Sequence, residues 1–155
     1  GDWNKDRLIP DSILALEKGE NIVVRNPDSV RPWQHVLDPL HGYIMLAEKL
    51  FFNPTKFSGA WNFGPNTDNT ITVQALVEIL IQRYGSGNWT PSNLGVKFHE
   101  TNKLYLNSNK SNVKLGWHPL IEVVQAIEFT VDWYKSDIRN IKKLSTEQID
   151  KFPKL

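Results

Sequence analysis

The chain has 155 residues and a mass of 17.8 kDa, is 40% hydrophobic, 23% charged and 11% aromatic, and carries a formal net charge of +1. A soluble domain of this size buries roughly 70% of its unfolded surface and needs no covalent staple. The absence of cysteine excludes disulfides and zinc–thiolate centres and points to a reducing, cytoplasmic home, while the near-neutral charge argues against a nucleic-acid partner. No apolar run approaches the roughly 20 residues of a membrane span, and the first ten residues have no signal-peptide profile, so no membrane partner is expected. The only methionine is Met45, inside an apolar stretch; removal of an initiator before Gly1 would account for the opening Gly1-Asp2-Trp3, and a piece of a longer protein is the sharper expectation.

Ile9, Ile13 and Leu16 recur at helical spacing before Gly19, which predicts a helix from Ile9 to Lys18 with Pro10 tolerated in its first turn and Arg7 at its entrance. The β-branched run Ile22-Val23-Val24, within Asn21 to Arg25, predicts a buried strand ended by the turn signature Asn26-Pro27-Asp28. Arg31 precedes a proline and is therefore extended. Asp38-Pro39 has the form of an N-cap and first helical residue, opening a helix with Leu40, Tyr43, Ile44, Ala47, Leu50 and Phe51 on one face. Ala60 to Phe63 is expected to be a short strand broken by Gly64-Pro65. Val73, Leu76, Val77, Leu80, Ile81 and Tyr84 define a second amphipathic helix stopped by Gly85.

Gly85 to Asn93 reads as a loop, Gly95 to Phe98 as a short strand, and Asn109 to Leu115 as a short helix stopped by Gly116. A long helix is expected from Pro119 to about Asn140, with Val123, Ile127, Val131 and Tyr134 inward. Residues 1–140 thus form the folded domain. Residues 141–155 read as a polar, solvated tail; from Lys135 onward six basic residues face three acidic ones. The fold class is α/β, with short strands mixed among helices.

The chemistry-bearing stretch is Arg31 to Asp38. Side chains alternate in an extended segment, so Arg31, Trp33 and His35 share one face and Gln34 and Val36 the other. A cation, an indole and an imidazole in line suit a surface that grips an anion and packs a ring; the alternative is an amphipathic edge strand with a solvated arginine. Arg7 is a second candidate, because a helix N-terminus favours anions and two guanidinium groups suit a diphosphate. The four histidines, 35, 41, 99 and 118, show no metal-ligand spacing. Asn88-Trp89-Thr90 matches the glycosylation sequon, for which chance is the better explanation here. There is no glycine-rich dinucleotide turn, no P-loop, no G-x-S-x-G, and no tyrosine followed four residues later by lysine.

Four ordered stretches carry a resemblance: Gly1 to Asp11, Arg25 to Leu40 with Arg-Pro-Trp-Gln-His-Val at its centre, Gly59 to Pro65, and Lys114 to Pro119 with Leu-Gly-Trp-x-Pro. Together they resemble the CDP-glucose 4,6-dehydratases, which are extended short-chain dehydrogenase/reductases acting on nucleotide sugars. The resemblance implies the substrate-binding lobe without the Rossmann core, since members begin with an NAD-binding domain and a catalytic Tyr-x-x-x-Lys that this sequence lacks. It implies that Arg7 and Leu8 lie against the diphosphate and base, that Val23, Val24 and Arg25 form a strand ending near the base, that Arg31 binds the diphosphate and that Trp33 is its aromatic neighbour. His35 and His99 complete the candidate substrate-binding set; at His99-Glu100 related epimerases carry an arginine. NAD belongs to the intact enzyme only, with its site outside this chain, and the other expected partners are CDP-glucose and the N-terminal Rossmann domain, with room for a homo-oligomer. The implied reaction moves hydride from C4 of the glucosyl group to NAD+, eliminates water across C5 and C6, and returns hydride to C6, giving CDP-4-keto-6-deoxyglucose for the deoxysugars of bacterial surface polysaccharides. The competing readings are a fragment of another nucleotide-sugar dehydratase or epimerase and a free-standing, non-catalytic nucleotide- or sugar-binding module, with single-strand nucleic-acid binding by the many aromatics a weaker one.

Overall fold

The computed structural model describes residues 3–68, 70–92 and 101–152. Among them the elements run α1 (Leu8–Glu17), β1 (Ile22–Val24), α2 (Leu37–Phe52), α3 (Pro54–Phe57), α4 (Val73–Tyr84), β2 (Trp89–Pro91), α5 (Asn109–Leu115), α6 (Val123–Lys135) and α7 (Ile141–Lys151). The expected mixture of helices with short strands is therefore present. The strand expected at Gly95 to Phe98 lies outside the described residues.

Helix boundaries follow local chemistry. Thr72 caps α4, its hydroxyl accepting from the Ala75 N–H at 3.1 Å. Gly85 and Gly116 end α4 and α5 in the left-handed region, at φ 100° and 72°, where a Cβ would be strained. β1 and β2 pair in parallel, Ile22 opposite Trp89 and Val24 opposite Pro91.

Two clusters make the core. The larger joins α1 (Ile13, Leu16), β1 (Ile22, Val24), α4 (Leu76, Val77, Leu80) and α6 (Val123, Ile127, Val131). The smaller is aromatic, with Phe57, Phe63, Leu115 and Trp117 packed against Met45, Leu46, Leu50 and Trp61. Phe63 meets Trp117 edge-on with ring centroids 5.1 Å apart, a favoured aromatic geometry.

Several expectations need correction. β1 is buried on one face only, because Val23 is 63% exposed between two buried neighbours. Part of the presumed loop after Gly85 is β2, a strand recruited by the backbone of β1 rather than by its own composition. Ala60 to Phe63 joins no ladder among the described residues; side chains from the α5 region hold it instead. Ser111 donates to the Asn62 carbonyl, Lys110 to that of Ala60 at 2.7 Å, and the Gly64 N–H donates to Ser108 Oγ at 2.7 Å. The last long helix begins at Val123 and ends at Lys135, after which the stretch expected to fray forms α7 on α6. Gln148 of α7 is buried and donates to the Phe129 carbonyl at 2.8 Å, while Trp133 Nε1 donates to Ser145 at 3.1 Å.

Asp38 is not an N-cap. Val36 occupies that position, in helical conformation, and Asp38 is fully buried one residue inside α2. Its Oδ1 accepts from the Leu120 N–H at 2.7 Å and its carbonyl from Trp117 Nε1 at 3.1 Å, which ties α2 to the segment before α6. Burial pushes the Asp38 carboxyl up from its ordinary value, against the opposing pull of the Leu120 and Ile121 amides and of His41. Replacing Asp38 by alanine strands the Leu120 N–H, so Asp38→Ala is expected to lower the unfolding free energy by about 1–3 kcal/mol. Asp38→Asn keeps an acceptor oxygen and should lose clearly less; urea denaturation of the two variants checks the difference.

Candidate functional site

One cleft has a volume of about 1230 Å³, larger than the roughly 300–1,000 Å³ usual for a small-molecule site. Its walls come from α1, β1, the extended stretch before α2, and the α6–α7 pair. Arg7, Leu8, Val24, Arg25, Arg31, Trp33 and His35 all line it. His99 lies outside the described residues.

Each is positioned by a local feature. Asp6 takes a left-handed conformation (φ 63°), which bends the chain just before α1 and sets exposed Arg7 at the helix entrance. Val24 is only 1% exposed, its side chain in the core, whereas Arg25 on the opposite face is exposed. Arg31 donates from one guanidinium nitrogen to the carbonyls of Val30 and Thr101, both at 2.9 Å. Trp33 packs against the larger core.

The strict alternation expected from Arg31 to Val36 does not hold, since Gln34 and Val36 also reach the cleft. The Trp33 N–H donates to the Arg31 carbonyl at 2.9 Å, a three-residue turn at Pro32 that breaks the flat strand. Gln34 is turned toward the aromatic core, its Nε2 donating to the Phe63 carbonyl at 2.9 Å.

The lining mixes both charges. Asp6, Asp11 and Glu20 stand with the three arginines, and Asp6 pairs with Arg25 at 3.8 Å. Arg25 is thus partly neutralised by Asp6. Three polar atoms of lining residues are buried without a protein partner: Ser12 Oγ, Trp33 Nε1 and Gln34 Oε1. Buried polar groups of this kind are ordinarily satisfied by ligand or water. No cluster of metal-binding side chains occurs among the described residues, and no helix there is long and apolar enough to cross a membrane.

Sequence reasoning missed the far wall, built by Thr130, Trp133 and Tyr134 of α6 and Ser145, Gln148 and Ile149 of α7. The signal was present, since Ile141, Leu144, Gln148 and Ile149 fall at helical spacing, but the charged background of the segment masked it.

Over 140 residues the chain is 41% identical to CDP-glucose 4,6-dehydratase of Salmonella typhimurium, covering 90% of this chain and 39% of that enzyme. The chain is homologous to the part of CDP-glucose 4,6-dehydratase that it spans. It spans about two-fifths of that relative's length. No family model matches the chain. Among solved structures, UDP-glucuronic acid 4-epimerase of Bacillus cereus, in complex with UDP-glucuronic acid and NAD, superposes with a TM-score of 0.69 at 15% identity, over 84% of this chain and 40% of its own. The dTDP-glucose 4,6-dehydratase of Bacillus anthracis, solved with NAD, gives 0.65 at 20% identity, over 90% of this chain and 42% of its own. The chain shares the fold of the matched part of these nucleotide-sugar epimerase and dehydratase structures.

Within the cleft, His35 is 8% exposed and touches Phe129 edge-on. Its Nδ1 faces the Leu37 N–H at 3.4 Å, which places the ring proton of the neutral form on Nε2. Burial lowers the His35 pKa below its ordinary value. Below about pH 6.5 the unfolded chain takes up this proton while the folded chain does not, so stability is full above that pH and is lost as pH falls toward the depressed folded value. Urea midpoints at pH 7.5 and 5.5 should show this loss, and His35→Gln should flatten it; an unchanged slope would show that His35 is not the titrating group.

Proposed function

We propose that the cleft binds a nucleoside-diphosphate sugar, specifically CDP-glucose, and that the chain is the substrate-binding part of a CDP-glucose 4,6-dehydratase. The observation that carries this reading is that Arg7, at the entrance of α1, and the Arg31, Trp33 and His35 of a stretch more than twenty residues later line one large cleft. Arg7 and Arg31 hold the diphosphate, guanidinium groups being suited to two phosphate oxygens at once. Trp33 and the aromatic wall of Trp133 and Tyr134 offer flat faces for base or sugar, and His35 presents a neutral donor from Nε2. Leu8, Val24 and Arg25 frame the base end, and His99 belongs to the same set on the resemblance alone. The similarity to the Salmonella enzyme favours cytidine diphosphate over other diphosphates.

NAD does not fit this chain. The structural relatives were solved with it, but no glycine-rich turn and no Tyr-x-x-x-Lys occurs in the 155 residues. The cofactor, and the acid–base groups of dehydration, therefore belong to the part of the enzyme that this chain does not match. What these residues contribute is anchorage and orientation of the substrate. The intact enzyme is read as cytoplasmic, acting on CDP-glucose in polysaccharide biosynthesis, with a homo-oligomer compatible with the reading.

Calorimetric titration of the chain with CDP, UDP and GDP tests it, with CDP expected to bind most tightly. A charge-assisted contact is worth roughly 1.5–3 kcal/mol, so Arg31→Ala should weaken CDP binding by about 10- to 150-fold. Unchanged affinity in that variant removes the phosphate assignment. The chain alone should turn over no CDP-glucose with NAD+, and steady product formation would overturn its role as an anchoring part.

A further inference from the structure

Among the described residues, α7 is the one helix that gives no member to either apolar cluster, and Gln148 is its single buried residue. Polar groups attach it to α6: Gln148 Nε2 donates to the Phe129 carbonyl at 2.8 Å, and Ser145 Oγ accepts from Trp133 Nε1 at 3.1 Å. Its contribution to the cleft is larger than its contribution to the core. Ser145, Gln148 and Ile149 stand three and four residues apart, share one face of the helix, and all line the cleft. Ile149 is 58% exposed there, an apolar side chain that the fold itself does not use. The charged residues of α7 (Lys142, Lys143, Glu147, Asp150 and Lys151) all stay off the cleft.

We infer that this uncharged face of α7 is the wall against which the sugar of the nucleotide sugar packs, with Gln148 and Ile149 as its specificity-determining residues, an inference that rests on the proposed function. Side-chain contacts order the cleft from one end to the other. Arg25, just after β1, stands at the base end, and Arg31 holds the diphosphate. His35, four residues further on, meets Phe129 edge-on with ring centroids 5.7 Å apart, and the Phe129 carbonyl is the group that Gln148 engages. α7 is therefore joined to the His35 end, past the diphosphate, where the group beyond the phosphates has to lie. A hexose presents C–H patches on its faces and hydroxyls at its rim. Ile149 covers the first, and the Gln148 amide, with one N–H committed to Phe129, keeps an oxygen that accepts from the second. A phosphate on this wall would lose its hydration with no charge to replace it, so the wall favours the neutral end of the ligand.

Calorimetric titration of the 155-residue chain and its Ile149→Ala variant with CDP and with CDP-glucose tests the assignment. Ile149→Ala should weaken CDP-glucose binding by about fivefold while leaving CDP binding within about twofold, because only the first ligand reaches the wall. Ile149→Leu, which keeps the apolar area, should restore the CDP-glucose affinity. Neither substitution should move the urea midpoint, since Ile149 belongs to no core cluster. Equal weakening of both ligands in Ile149→Ala overturns the inference and moves the wall to the nucleotide. Unchanged CDP-glucose affinity in that variant, with CDP still bound, overturns the inference alone. Failure of the unaltered chain to bind CDP overturns the nucleotide reading and the sugar wall with it.

Discussion

Ile22 and Val24 enter the larger core from β1, while Val23 and Arg25 turn outward beside the cleft, so β1 and the residue after it set both the packing of the domain and one wall of its site. The period of two leaves no freedom here, since a one-residue slip would expose Ile22 and Val24 and bury Arg25. The pairing with β2 fixes that register through backbone hydrogen bonds, including Ile22 N–H to Asn88 O at 2.9 Å and Ser92 N–H to Val24 O at 2.8 Å. α1, α4 and α6 then close over the buried pair. A strand this short has no stability of its own, and the helices around it supply what the ladder cannot.

The stretch from Val30 to His35 depends on both cores at once. Val30 bridges to Thr72 and to Lys103, Trp33 rests on the larger cluster, Gln34 reaches the Phe63 carbonyl in the smaller, and His35 meets Phe129 of α6. Each anchor fixes one residue, and together they hold Arg31, Trp33 and His35 before any ligand arrives. Such preorganisation lowers the ordering cost of binding, which otherwise consumes about 0.5–1.5 kcal/mol for each immobilised side chain. The same anchors explain why the segment departs from a flat strand: its contacts lie in different directions, and the turn at Pro32 reconciles them.

What the sequence made legible was whatever depended on spacing within one element. The α4 repeat, the Gly85 and Gly116 stops and the pairing of arginine with aromatic in Arg31-Pro32-Trp33 all report on neighbours a few residues away. What escaped depends on distant partners. β2 lies in a Gly/Ser/Asn-rich stretch and becomes a strand only because β1 offers an edge; Asp38 has the local form of a cap and is claimed instead by Leu120, 82 positions along. α7 is polar enough to look like a tail, and it folds because Gln148 and Ser145 satisfy groups on α6. The far wall of the cleft was invisible for that reason.

The overall charge of +1 conceals a local arrangement that bears on which anions the cleft favours. A polyanion needs an uninterrupted basic stripe, because its binding grows with the number of phosphates neutralised. Here Asp6, Asp11 and Glu20 stand among the lining residues, and Asp6 already engages Arg25. Successive phosphates laid along this surface would meet carboxylates as often as guanidinium groups. A single diphosphate escapes that repulsion if it sits between Arg7 and Arg31, with its uncharged base and sugar directed over the aromatic walls. The acids then act against wrong ligands as much as the arginines act for the right one, in the way that specificity is commonly built from repulsive as well as attractive elements. The near-neutral composition is thus what a small, doubly charged ligand flanked by ring-shaped neutral groups would select.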